Sequence, residues 1–114
     1  MKDEVITVQY ATLLYDFYGS LLGEKQAEVM ELYHEYDMSL SEIAAELNMT
    51  RQAVHYTLKK SEAFLDGLEN KLGLIASYNE NRKKADSIIA MLRELDITDD
   101  DRNYIIKTIE ELTE

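Results

Sequence analysis

The chain has 114 residues, no cysteine, no proline and only four glycines, and 46% of it is apolar. That length makes one domain, or one domain with an extension, and the apolar share is enough for a real core. Without cysteine there is no disulfide framework and no thiolate metal site, and a net charge of −11 argues against a generic nucleic-acid binder, because phosphate neutralisation supplies most non-specific affinity.

The charge is uneven. Residues 1 to 38 carry eight acidic and two basic side chains, net −6. Residues 39 to 84 carry six acidic and seven basic, net +1, and residues 85 to 114 nine acidic and three basic, net −6. Scarce breakers and long periodic stretches predict an all-α fold of about six helices. The chain opens Met-Lys-Asp-Glu, with no apolar run of signal-peptide length, and no stretch reaches the length of a membrane span. With the missing cysteine, that suits a reducing cytoplasm, the expected location.

Residues 1 to 6 read as a frayed end. A first helix is expected from about Thr7 to Leu22, with Ala11, Leu14, Tyr15, Tyr18, Leu21 and Leu22 as its apolar stripe, broken by Gly23. A second should run from about Glu24 to Glu35, with Glu24 near its positive end and Val29, Leu32, Tyr33 and Tyr36 facing inward. The tyrosines and Phe17 of these helices resemble a ligand pocket, but amphipathic core packing explains them better. His34 has no partner at metal spacing and is expected to face solvent.

Ser39 to Lys60 carries the main signal. Ser39 and Glu42 have the spacing of a capping box, so a helix starts there. Ile43 and Leu47 share a face, with Ala44 as the small residue that admits a close crossing. Asn48 stands at a sharp turn and tolerates the left-handed conformation. Met49 points back to the core, and Thr50 is a good N-cap for the next helix. Val54 and Leu58 are that helix's apolar face, with Ala53 beside them. The pattern is a helix-turn-helix; the plainer alternative is a hairpin that only packs.

The outward residues of the second helix set the functional expectation. Arg51 and Gln52 occupy the first turn, where a recognition helix meets base edges; arginine can bond guanine and glutamine adenine, each twice. Lys59 and Lys60 are placed for phosphates, and Thr50, His55 and Tyr56 complete the candidate nucleic-acid surface. The acidic flanks would repel DNA, so affinity should be modest and salt-dependent.

Beyond Leu58 the helix is expected to continue through Gly67 and Gly73, each weakening it by about 1 kcal/mol without ending it. Leu58, Ser61, Leu65, Leu68, Leu72 and Ile75 make an a/d row with one polar position. It reads as packing on the chain's own C-terminal helices or as a homodimer seam, and a helix this long could do both. Asn79 to Lys84 reads as a polar corner; its Arg82-Lys83-Lys84 run is a solvated face, or else a phosphate or RNA contact. The domain division expected is 1–78 for the helix-turn-helix domain with its long helix, and 79–114 for a helical extension packing on it or on a second subunit. The extension holds a helix from about Ala85 to Leu95, then Thr98 as the N-cap of a last helix. Asp99, Asp100 and Asp101 there complement the helix dipole, with no calcium-loop spacing beside them. Ile105, Ile106, Ile109 and Leu112 make that helix amphipathic.

The stretches Leu22-Gly-Glu-Lys-Gln26, Leu32-Tyr33 and Ser39 to Leu58 resemble the C-terminal helix-turn-helix of bacterial sigma factors. A closer resemblance, over roughly residues 10 to 78, is to the YlxM-like proteins, a small bacterial family. It adds Leu14-Tyr-Asp-Phe-Tyr-Gly-Ser-Leu-Leu22, the Arg51-Gln-Ala-Val54 helix start and the continuation from Leu65 to Leu72. Thr50 replaces that family's usual serine, and Asn48 stands where glycine is usual. The resemblance implies a regulator linked to the signal recognition particle pathway, a link that rests on gene neighbourhood.

No Gly-rich phosphate loop, His-Glu-x-x-His or nucleophile elbow is present, so neither an enzyme nor a cofactor or metal is expected. The function expected is regulatory nucleic-acid binding, as a homodimer. The alternative is a protein-interaction module that docks the signal recognition particle or another partner without binding DNA.

Overall fold

A computed structural model describes residues 6 to 114; residues 1 to 5 of the expected frayed end lie outside that range. Among the described residues the fold is all-α, with no strand. The helices are α1 Val8–Tyr18, α2 Glu24–His34, α3 Leu40–Leu47, α4 Arg51–Leu72, α5 Leu74–Glu94 and α6 Asp99–Leu112, with a short 3-10 turn, Gly19–Leu21, after α1. They fall into two compact units, one ending at Gly73 and one beginning at Leu74.

In the first unit α1, α2 and α3 all pack on α4. Each contributes its periodic apolar face: Leu14 and Tyr18 from α1, Val29 and Met30 from α2, Ile43 from α3. They close around Val54, Leu58 and Leu65 of α4. Burial of each such side chain stabilises by roughly 1.5–3 kcal/mol. Ser61 sits fully buried among them because its hydroxyl donates to the Thr57 carbonyl at 2.7 Å, within α4 itself. Two tyrosine hydroxyls clamp α1 to the second half of α4. Tyr10 donates to Asp66 at 3.0 Å and Tyr18 donates to Glu69. Burial, then the bonded Asp66 carboxylate, pushes the Tyr10 hydroxyl up to about 12.

The second unit is the hairpin of α5 and α6. Thr98 caps α6, its hydroxyl accepting from the Asp101 amide at 3.1 Å. Arg102 closes the corner: its guanidinium donates to the carbonyls of Leu92 at 3.1 Å and Leu95 at 2.8 Å, and pairs with Asp99 at 2.7 Å. One side chain thus adds donors to carbonyls at the end of α5 and just past it.

Several expectations are corrected. The first helix ends at Tyr18, before Leu22, because the chain tightens at Gly19, where a Cβ would lie 2.9 Å from the Tyr15 ring. Tyr36 is 64% exposed, since α2 has already ended at His34. The long helix does not run through Gly73. That residue adopts φ 65° and ψ 27°, a left-handed C-cap whose amide donates to the Glu69 carbonyl at 2.8 Å. The a/d row is divided in consequence: Leu58, Ser61 and Leu65 are spent in the core of the first unit, Leu72 is exposed, and Ile75 belongs to α5. Asn79 to Lys84 is no corner; it lies inside α5, which no breaker interrupts.

Candidate nucleic-acid interface

The turn between α3 and α4 fixes the geometry. At the start of α3, the Ser39 hydroxyl accepts from the Glu42 amide at 3.1 Å and the Glu42 carboxylate accepts from the Ser39 amide at 2.8 Å. Those bonds, the backbone one foremost, hold the Glu42 carboxyl below its ordinary range. At the far end Asn48 takes φ 56° and ψ 48°, and its amide and that of Met49 both turn back to the Ala44 carbonyl. This is the left-handed C-cap that asparagine supplies with little strain. Thr50 then caps α4, its hydroxyl accepting from the Ala53 amide at 3.0 Å. Ile43 and Ala44 before the turn and Val54 after it are buried, while Leu47, Met49 and Ala53 are half-buried.

With Val54 and Leu58 held inward, the opposite face of α4 is open. Arg51, Gln52, His55, Tyr56, Lys59 and Lys60 are all exposed. Arg51 and Gln52 stand in the first turn with no side-chain bond or ion pair among the described residues. Lys60 lies over the Tyr56 ring, its nitrogen 5.8 Å from the centroid, a cation–π contact one helical turn long. The candidates do not stand equal. The Thr50 hydroxyl accepts the capping bond, which leaves its O–H proton to offer. Lys59 is tied at 3.4 Å to Glu62, whose side chain is 6% exposed. Glu62 is the neighbour that the reading of outward residues misses; its i, i+3 spacing from Lys59 was the available signal.

The expectation that His34 faces solvent is wrong. The imidazole stacks on Tyr15, centroids 5.7 Å apart, and meets Tyr33 edge-on at 5.0 Å. The Thr12 hydroxyl donates to the Val8 carbonyl at 2.9 Å, so Nδ1 of His34, 3.2 Å from that oxygen, is the donor in their contact. Nε2 is left bare and buried. Burial therefore lowers the His34 pKa, against the opposing pull of the Glu62 and Asp16 carboxylates. The expected aromatic core is present in part: Tyr18 is buried, and Tyr15, Phe17 and Tyr33 are half-buried. Among the described residues no three histidine or carboxylate side chains gather where they would hold a metal ion, and no helix is long and apolar enough to cross a membrane.

Residues 6–111 match the model of one family, described as "Putative helix-turn-helix protein, YlxM / p13 like". Among curated proteins the chain is similar to a UPF0122 protein of Desulforamulus reducens, 49% identical over 80 residues, 70% of this chain and 68% of that one. A UPF0122 protein of Thermoanaerobacter sp. is 43% identical over 106 residues, 90% of this chain and 87% of the other. One from Bacillus mycoides is 37% identical over 99 residues, 87% and 90% of the two chains.

Proposed function

This chain belongs to the YlxM / p13-like helix-turn-helix family, and we propose that it is a cytoplasmic regulatory protein that binds nucleic acid through α4. The observation that carries this is the open first turn of α4. Arg51 and Gln52 are exposed there and unbonded among the described residues, behind a turn whose caps fix the direction of the helix. Arg51 and Gln52 would read base edges, Lys60 would hold phosphate, and His55 and Tyr56 would add contacts one turn on. Lys59 would contribute less, because Glu62 already neutralises it. A homodimer is part of this reading, since two recognition helices one helical turn apart are the usual way such a fold reaches specific affinity.

A second reading is favoured by the charge. A net −11 suits a basic partner better than a polyanion. The same helix face would then dock a protein, such as a component of the signal recognition particle. Capture from a native lysate, with bound nucleic acid sequenced and bound proteins identified, separates the two. Enrichment of nucleic acid that Arg51→Ala abolishes supports the first. Protein capture that survives nuclease and falls with Arg51→Ala or Tyr56→Ala supports the second.

A further inference from the structure

We propose that the hairpin of α5 and α6 is a homodimer interface, two copies packing face to face with their ends exchanged. This rests on the homodimer part of the functional reading and is independent of nucleic-acid binding.

The hairpin leaves its apolar side chains uncovered. No residue of α6 is buried. Ile88 is 45% exposed, Met91 64%, Leu95 52%, Ile105 36% and Leu112 80%. Their spacing is not scattered. Lys84, Ile88 and Met91 follow one another at i, i+4 and i+7 along α5, which is one helix face, and Leu95 follows just past its end. Asp101, Ile105, Thr108 and Leu112 repeat the same spacing along α6. A groove between the helices, lined by Lys84, Ile88, Ile109 and Leu112, joins the two rows into one surface. A unit of roughly forty residues usually needs a disulfide, a metal or an oligomer to be stable. This chain has no cysteine, and a contiguous exposed apolar face marks an interaction site.

Charge identifies the occupant as a second copy. The helices are antiparallel, so Lys84 stands at the Leu112 end of the surface and Asp101 at the Leu95 end. Neither side chain has an ion pair among the described residues. A two-fold axis across the helices exchanges the ends. It brings Lys84 of each copy to the Asp101 end of the other, a self-complementary pairing that an isologous contact requires. The apolar row of each copy then covers that of its partner.

The test is sedimentation of the full chain and three variants, with helix content checked by circular dichroism. The wild type should be a dimer at high micromolar concentration, and Met91→Asp a monomer. Lys84→Asp and Asp101→Lys, both on exposed positions, should each weaken the dimer roughly tenfold. Mixing those two charge variants should restore it, because both cross-pairs become attractive; native mass spectrometry would detect the mixed dimer. If Met91→Asp fails to fold, the charge variants decide alone. A wild-type dimer that none of these variants weakens overturns the interface while leaving the homodimer reading intact. A monomeric wild type overturns both.

Discussion

Lys59 Nζ lies 3.4 Å from Oε1 of Glu62, and the two side chains have opposite surroundings: 54% of the lysine is exposed but only 6% of the glutamate. The pair anchors one cation of the candidate interface to the core. Lys59→Ala should therefore cost about 1 kcal/mol of stability, because it strips a nearly buried carboxylate of its partner. Lys60→Ala should cost almost nothing, since among the described residues Lys60 has only an exposed ring contact. Urea titrations of the two variants make the comparison. Glu62→Gln should release Lys59 and raise affinity for duplex.

His34 makes stability depend on pH. Its folded-state pKa is lowered from 6.5, with burial as the main cause. Above 6.5 the ring is neutral in both states and imposes no penalty. Below it the unfolded chain binds the proton more readily than the folded one. Stability is therefore lost as pH falls through 6.5 towards the folded value. The groups facing the ring are Thr12, Tyr15 and Asp16 from α1, Tyr33 from α2 and Glu62 from α4. Denaturant unfolding at pH 7.5 and 5.5, compared with His34→Gln, isolates the effect. The wild type should lose more stability between those pH values than the variant does.

Gly67 and Gly73 should respond oppositely to alanine. Gly67 is inside α4, and a Cβ there meets nothing within 4 Å, so Gly67→Ala should stabilise by about 1 kcal/mol. Gly73 has a φ of 65°, so Gly73→Ala should destabilise by about 1 kcal/mol. Thermal unfolding of both variants checks the signs.

Arg102→Ala should fray the hairpin corner. It removes donors to Leu92 and Leu95 and the pair with Asp99. Amide exchange should quicken at the end of α5 and the start of α6, with the first unit unchanged.

The helix-turn-helix was legible because its signals are local. The capping box, the left-handed Asn48 and the Thr50 cap each act within a turn of chain, and the structure contains all of them. The end of α4 was not legible. Glycine within a helix and glycine as a C-cap differ in φ, which composition does not encode, so Gly67 and Gly73 read alike. His34 was missed because most of its neighbours come from other helices: Thr12, Tyr15 and Asp16 of α1 and Glu62 of α4 are far off in sequence. Within the candidate interface, sequence supplied the outward residues but not their inequality. Lys59 and Lys60 are adjacent, yet one is held by Glu62 and the other by Tyr56.

The central claim is that α4 binds nucleic acid, and its most direct test is a fluorescence titration of mixed-sequence duplex at about 20 mM salt, where screening is weak. The wild type should bind, with affinity falling steeply as salt rises. Lys60→Ala should weaken all sequences alike and lower the salt slope by about one. Arg51→Ala should cost about 1–3 kcal/mol and relax preference at one base position. No binding of any duplex or RNA at that salt, or binding that Arg51→Ala and Lys60→Ala leave unchanged, would contradict the claim.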